Sequence, residues 1–206
     1  MENLLTIGEK IVFGIMGCAS MLALATAIER GLLFRHTTKS ADRLLPEIIT
    51  KLRIGELSTL GVYVSSFPGS VYARFAAFIT EHHKTGTQTL HHLMEGKIIE
   101  ERVFLERRMT ILASLGNNAP FIGLLGTVLG IIKAFYNLGT LGNTGAEVVM
   151  RSISTALLAT ASGLLIAIPV VIANNYFSRK IKVMTQNMEL IAQETLACMN
   201  NNIEKK

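Results

Sequence analysis

The polar groups in the most apolar parts of this chain are hydroxyls. Thr127 lies in one long uncharged run, and Thr155, Thr160 and Ser162 lie in another. A hydroxyl donates one hydrogen bond and accepts others, so at membrane depth it can order water or pass a hydrogen bond to a titrating group. Most such hydroxyls do less and bond back to a carbonyl of their own helix. Gly123, Gly126 and Gly130 share the first run, in Gly-Leu-Leu-Gly-Thr-Val-Leu-Gly. A phosphate loop would need Lys-Ser or Lys-Thr after the last glycine and a strand before the first, and neither is present. Gly126-x-x-x-Gly130 reads instead as a small-residue motif that lets membrane helices approach closely. Gly163 in the second run is counted with these packing glycines. Pro120 and Pro169 are expected near helix ends, where proline bends or starts a helix.

Other candidate chemistry is thinner. His82, His83, His91 and His92 form two pairs within eleven residues. A metal site is conceivable. However, no cysteine lies near, Glu81 and Glu95 read as helix surface, and adjacent histidines on a helix point to different faces. The pairs therefore read as a solvated helix–turn, with no metal and no cofactor expected. Cys18 and Cys198 are too far apart in the chain for a disulfide framework or zinc pattern. There is no Ser-His-Asp set, no carboxylate pair in a plausible pocket and no nucleotide fingerprint, so a conventional enzyme is not expected.

The elements that must hold the hydroxyls are set by where charge is missing. Of 206 residues, 50% are hydrophobic and only 17% charged, against about 25% for a soluble domain; the mean hydropathy is +0.41. Ile11–Ile28, Met109–Ile132 and Ser152–Ser178 contain no Asp, Glu, Lys or Arg over 18, 24 and 27 residues. As helices these runs would extend roughly 27, 36 and 40 Å, enough to cross a hydrocarbon core of about 30 Å. A chain this short cannot bury three such segments in a soluble core, so three transmembrane helices are predicted. Ala25-Thr26-Ala27 resembles a signal-peptidase site, but Glu2, Glu9 and Lys10 give no net positive charge before the run, which favours a retained helix.

Orientation follows from the basic residues at the helix ends. Arg30, Arg35, Lys39 and Arg43 follow the first run; Lys97, Arg102, Arg107 and Arg108 precede the second; Arg179, Lys180 and Lys182 follow the third. The opposite ends hold only Lys10, Lys133 and Arg151. The positive-inside rule puts the N-terminus outside the cytoplasm and the C-terminus inside. The net charge of +5 is thereby read as membrane orientation, and nucleic acid drops out as a partner.

The resulting plan is all-α: an outer N-terminus (1–10), a first span (11–28), a cytoplasmic helical segment (29–110), a second span (111–136), a short outer loop (137–151), a third span (152–177) and a cytoplasmic C-terminal helix (178–206). In the long segment, Ser40 is placed to cap a helix through Leu44, Ile48 and Leu52, with Pro46 in its early turns. Phe67-Pro68-Gly69 marks a turn, and Val71–His83 reads as a helix with Phe75, Phe78 and Ile79 on one face. From about Thr89 a further helix runs towards the second span and is spaced to continue into it. Met184, Met188, Ile191, Thr195 and Cys198 follow a 4-3-4-3 spacing, so the third helix is expected to project beyond the bilayer and pack there.

Ala119-Pro120-Phe121-Ile122-Gly123-Leu124-Leu125-Gly126-Thr127-Val128-Leu129-Gly130-Ile131-Ile132-Lys133-Ala134-Phe135 resembles the second-span signature of the MotA/TolQ/ExbB proton channel family. The run from Ile153 through Ser154-Thr155-Ala156-Leu157-Leu158-Ala159-Thr160-Ala161-Ser162-Gly163 to Pro169 is similar to its third. Ala27-Ile28-Glu29-Arg30 and Phe67-Pro68-Gly69 fall where the family has weaker landmarks. The likeness is closer to the ExbB and TolQ branch than to the longer flagellar stators. It implies an inner-membrane subunit that forms a homopentamer around an ExbD-like or TolR-like single-span partner carrying a membrane aspartate. Proton flow would then drive motion passed to a TonB-like or TolA-like protein. It also implies that Thr127 and Thr160 line the channel. Thr155 is taken with them as a proton-pathway candidate, although its threonine departs from the glutamate that the resemblance implies for some relatives at this position. The alternatives are a TolQ-type envelope-integrity subunit, a gliding or secretion motor, and a membrane scaffold that does not conduct.

Overall fold

The computed structural model describes residues 2–38, 41–62, 66–67, 69–141 and 146–204, and no strand occurs among them. Among the described residues the main α-helices are α1 (Glu2–Thr38), α2 (Ala41–Ile54), α3 (Val71–His82), α4 (Thr87–Glu106), α5 (Met109–Leu141) and α6 (Ala146–Glu204). α1, α5 and α6 are long and apolar enough to cross a membrane. The chain divides into two compact units, one of residues 1–29 and 108–176, the other of residues 30–107 and 177–206.

In the first unit the helices meet through small residues. Along α1, Val12, Met16, Ala19, Ala23 and Thr26 are buried at alternating spacings of four and three, the period of a single packed stripe. Val12 and Met16 cluster with Ala159, and Ile122, Leu129 and Ile166 pack around them. The outer loop expected over 137–151 is shorter here, because α5 runs to Leu141 and α6 starts at Ala146; residues 142–145 lie outside the described set.

The second unit has an aliphatic core. Leu44, Ile48 and Leu52 of α2, Phe75 and Ile79 of α3, Leu90, Met94 and Leu105 of α4, and Met188 and Ile191 of α6 are fully or almost fully buried. The 4-3-4-3 stripe of α6 is buried throughout, from Met184 to Cys198, and burial pushes the Cys198 thiol above its ordinary range. α2 tolerates Pro46 inside it, while the expected cap Ser40 lies outside the described residues. Position 69 needs its glycine, since a Cβ there would lie 2.3 Å from the His36 ring; Pro68 of the expected turn lies outside the described residues. Phe34 stacks on Phe177 at 5.2 Å. Burial works to lower the Lys97 pKa, but the neighbouring Glu100 and Glu101 carboxylates outweigh it and hold it above its usual value.

One expectation is corrected at the start of α5. The helix predicted from Thr89 does not continue into the second span. Arg107 turns extended at ψ 131° and Arg108 takes a φ of 63°, a left-handed conformation that costs a non-glycine residue roughly 1–2 kcal/mol. The Arg108 guanidinium pairs with Glu29 at this break, an anchor that periodicity does not reveal.

The most consequential charge pair of the second unit joins α3 to α4. Arg74 donates from Nε to Glu101 Oε1 at 3.2 Å and from a terminal nitrogen to Oε2 at 2.6 Å, and the Glu101 side chain is 5% exposed. Removing the arginine would leave that carboxylate buried with only Lys97, at 3.5 Å. Arg74→Met is therefore expected to destabilise the chain by about 3 kcal/mol, and Arg74→Met with Glu101→Leu by much less. Arg102→Met, which breaks an exposed, solvent-screened pair with Glu106, should leave stability nearly unchanged. Denaturant unfolding in detergent, followed by circular dichroism, checks the ranking.

Candidate functional site

α5 and α6 cross on a track of small residues. A Cβ on Gly123 would fall 2.8 Å from the Ala159 carbonyl oxygen and 3.3 Å from the Gly163 Cα. One on Gly163 would fall 2.7 Å from the Ala119 carbonyl oxygen and 3.1 Å from the Gly123 Cα. On the same side, Cβ atoms on Gly126 and Gly130 would each come within 2.6 Å of an alanine methyl, Ala159 and Ala156 respectively. Gly116 is equally closed, 2.8 Å from Val171. The small-residue motif thus serves contact within one chain, and its span is longer than Gly126-x-x-x-Gly130 alone.

This close approach brings two hydroxyls together. Thr127 of α5 and Thr160 of α6 share a short hydrogen bond between their Oγ1 atoms. Thr127 is also 2.9 Å from the Ala156 carbonyl oxygen and 3.3 Å from that of Gly123, and Thr160 is 3.4 Å from the Gly123 carbonyl. Each hydroxyl has one proton, so the pair has two hydrogen-bond directions. In one, Thr160 donates to Thr127, which donates to Ala156 O. In the other, Thr127 donates to Thr160, which donates to Gly123 O. A unit of this kind can reverse its direction and hand on a hydrogen bond, but neither member ionises near neutral pH.

The other expected site residues fall elsewhere. Thr155 donates to the Arg151 carbonyl of its own helix at 3.0 Å and takes no part in the hydroxyl pair. Pro120 and Pro169, expected near helix ends, both lie inside continuous helices; long membrane helices accommodate proline where neighbouring groups satisfy the freed backbone. His82 and His83 bond through Nδ1 to the carbonyls of Phe78 and Thr80, at 2.9 and 2.6 Å. The His91 and His92 rings do not point apart as expected. They converge on Glu95, with one donor atom from each residue within 4.8 Å of the others, on an exposed single turn of α4.

A second polar pair escaped the sequence reading. Lys133 Nζ of α5 lies 2.7 Å from Glu9 Oε2 of α1, with the two side chains 18% and 12% exposed. Both residues count in the sequence as flanking charges of separate spans. The signal that joins them is the α1 stripe: Glu9 precedes Val12 by three residues and Met16 by seven, on the same buried face.

Residues 70–190 match the sequence model of the MotA/TolQ/ExbB proton channel family. The chain belongs to this family. Curated relatives include the biopolymer transport protein ExbB of Neisseria gonorrhoeae, 48% identical over 86 residues, which is 42% of this chain and 39% of that protein. The ExbB of Helicobacter pylori strain J99 is 45% identical over 87 residues, covering 42% of this chain and 60% of the relative. The Aquifex aeolicus ExbB is 42% identical over 90 residues, covering 44% and 61%. The chain thus matches between two-fifths and three-fifths of the length of these relatives. With three apolar helices, this MotA/TolQ/ExbB member is a membrane protein of a proton channel family.

Proposed function

We propose that this chain is the multi-span subunit of an ExbB/TolQ-type motor in the bacterial inner membrane, converting proton flow into work for TonB-dependent outer-membrane transport. The observation that carries the reading is the Thr127–Thr160 hydroxyl pair at the closed crossing of α5 and α6, in a family of proton channels. A proton relay through a bilayer ordinarily needs a titratable group at depth, and the three uncharged stretches hold none. A second polypeptide must supply it, and an ExbD-like or TolR-like single-span helix with an aspartate near Thr127 and Thr160 has the required chemistry. Large apolar side chains left exposed on all three long helices, among them Leu24, Phe121 and Leu165, suit contact with lipid and with further copies, in keeping with a homopentamer. The expected topology has residues 1–10 and 137–151 on the periplasmic side and residues 29–110 and 178–206 in the cytoplasm. TonB-like or TolA-like proteins would receive the motion.

Thr155, at a position where the resemblance implies a glutamate in some relatives, favours a second reading as a membrane scaffold that does not conduct. Liposomes separate the two. Purified chain alone should leak protons no faster than empty vesicles, and chain co-reconstituted with its single-span partner should leak at least tenfold faster. No gain with the partner supports the scaffold. Fast flux through the chain alone moves the relay onto its own residues.

A further inference from the structure

The pair formed by Glu9 and Lys133 lies close to the hydroxyl pair as well as at the edge of the spans. Glu9 Oε2 accepts from Lys133 Nζ at 2.7 Å. Its other oxygen, Oε1, is 3.4 Å from where a Cβ would stand on Gly130, and the same spot is 2.6 Å from the Ala156 methyl. The Ala156 carbonyl in turn lies 2.9 Å from the Thr127 hydroxyl. The carboxylate and the hydroxyl pair therefore flank one contact, Gly130 against Ala156, and Thr127 and Gly130 are separated by about 4.5 Å of helix rise. Glycine at 130 leaves the carboxylate room at the helix surface. From α5 the charged group facing Glu9 is Lys133. From α6 the residue at this level is Ala156, and the nearest charged residues on that helix, Glu147 and Arg151, are exposed, as is Lys10 on α1.

We propose that Glu9 is a proton-binding station at the outer end of the Thr127–Thr160 pair, with Lys133 holding its charge between loadings; this rests on the conducting role proposed above. A proton arriving from the aqueous side adds to a Glu9 carboxylate oxygen, giving the neutral acid and releasing Lys133. The acid then donates through intervening water towards the hydroxyl pair, each hydroxyl accepting one proton as it gives up its own. The last acceptor is the carboxylate of the single-span partner. Glu9 returns to its anion and re-forms the pair, so protons and charge balance. A purely structural clasp has little need of charge, since a buried ion pair is commonly replaced by apolar side chains without loss of stability.

The test uses the full chain with its partner in liposomes. Glu9→Leu with Lys133→Leu should give the same oligomer by native mass spectrometry but at least tenfold slower proton uptake than the parent. Dicyclohexylcarbodiimide, which modifies carboxyls that become protonated in apolar surroundings, should label Glu9 in the unaltered chain, read by peptide mass spectrometry. Parent-rate uptake in the double variant, or no label on Glu9, overturns the station. The labelling needs no variant and no flux, so it decides the matter even where the double variant fails to fold. Failure of the conducting role itself would show separately, as a parent and partner that do not conduct.

Discussion

Thr160→Val is expected to insert and assemble like the parent while losing at least about tenfold of its partner-dependent proton flux, equivalent to ~1.4 kcal/mol or more on the barrier. Valine copies the shape of threonine, so the crossing of α5 and α6 keeps its fit, and the loss of one neutral hydrogen bond costs only about 1 kcal/mol. What disappears is the atom that both accepts from Thr127 and donates towards Gly123 O. Thr127 can then donate only to a backbone carbonyl, and the two-direction unit becomes a fixed bond. Thr160→Ser keeps the hydroxyl and should retain most of the flux. Thr155→Val removes a hydroxyl bonded to its own helix and should change little. Proton uptake by matched liposomes, with oligomeric state checked in parallel, reads all three. Equal uptake by the parent and by Thr127→Val with Thr160→Val would reduce these hydroxyls to a structural role.

The parts of the fold that were legible in the sequence are those written as periods. Uncharged runs mark α1, α5 and α6, and the spacing of Met184, Met188, Ile191, Thr195 and Cys198 marks the buried face of α6. The break at Arg107 and Arg108 has no such mark. Two arginines suit a helix well, and the left-handed φ of Arg108 accompanies a tertiary pair with Glu29, 79 positions away in sequence. The extent of α5 and α6 was underestimated because Gly139 and its neighbours read as loop punctuation. A glycine in a helix costs only about 1 kcal/mol, too little to end a 33-residue helix. Among the site residues, the family resemblance singled out Thr127 and Thr160, whereas composition alone gives every buried threonine the same weight. Glu9 and Lys133 were missed for the opposite reason. Each was counted as a flanking charge, and only the stripe shared with Val12 and Met16 shows that Glu9 faces another helix.

Gly163→Ala is expected to be among the costliest single methyls that can be added to the long apolar helices, together with Gly123→Ala. The added carbon would lie 2.7 Å from the Ala119 carbonyl oxygen and 3.1 Å from the Gly123 Cα. Both are backbone atoms, so no rotamer change can relieve the contact, and α5 must move away from α6. Overpacking a fitted core costs typically about 1–3 kcal/mol, occasionally more, and a backbone clash belongs at the upper end. Separating the helices would also stretch the Thr127–Thr160 bond, so flux should fall together with stability, unlike in Thr160→Val. Gly17→Ala is the matched control, because a Cβ there meets nothing within 4 Å, and alanine is the better helix former by about 1 kcal/mol. Gly126→Ala should also fall below the parent, since its close neighbour is the Ala159 Cβ at 2.6 Å, an atom that no side-chain rotation can move. Thermal unfolding of the purified variants in one detergent should place Gly17→Ala at or above the parent and both Gly126→Ala and Gly163→Ala below it by several degrees. A Gly163→Ala chain as stable as the parent would mean that α5 and α6 do not cross at Gly123 and Gly163, and the hydroxyl pair would lose the contact that positions it.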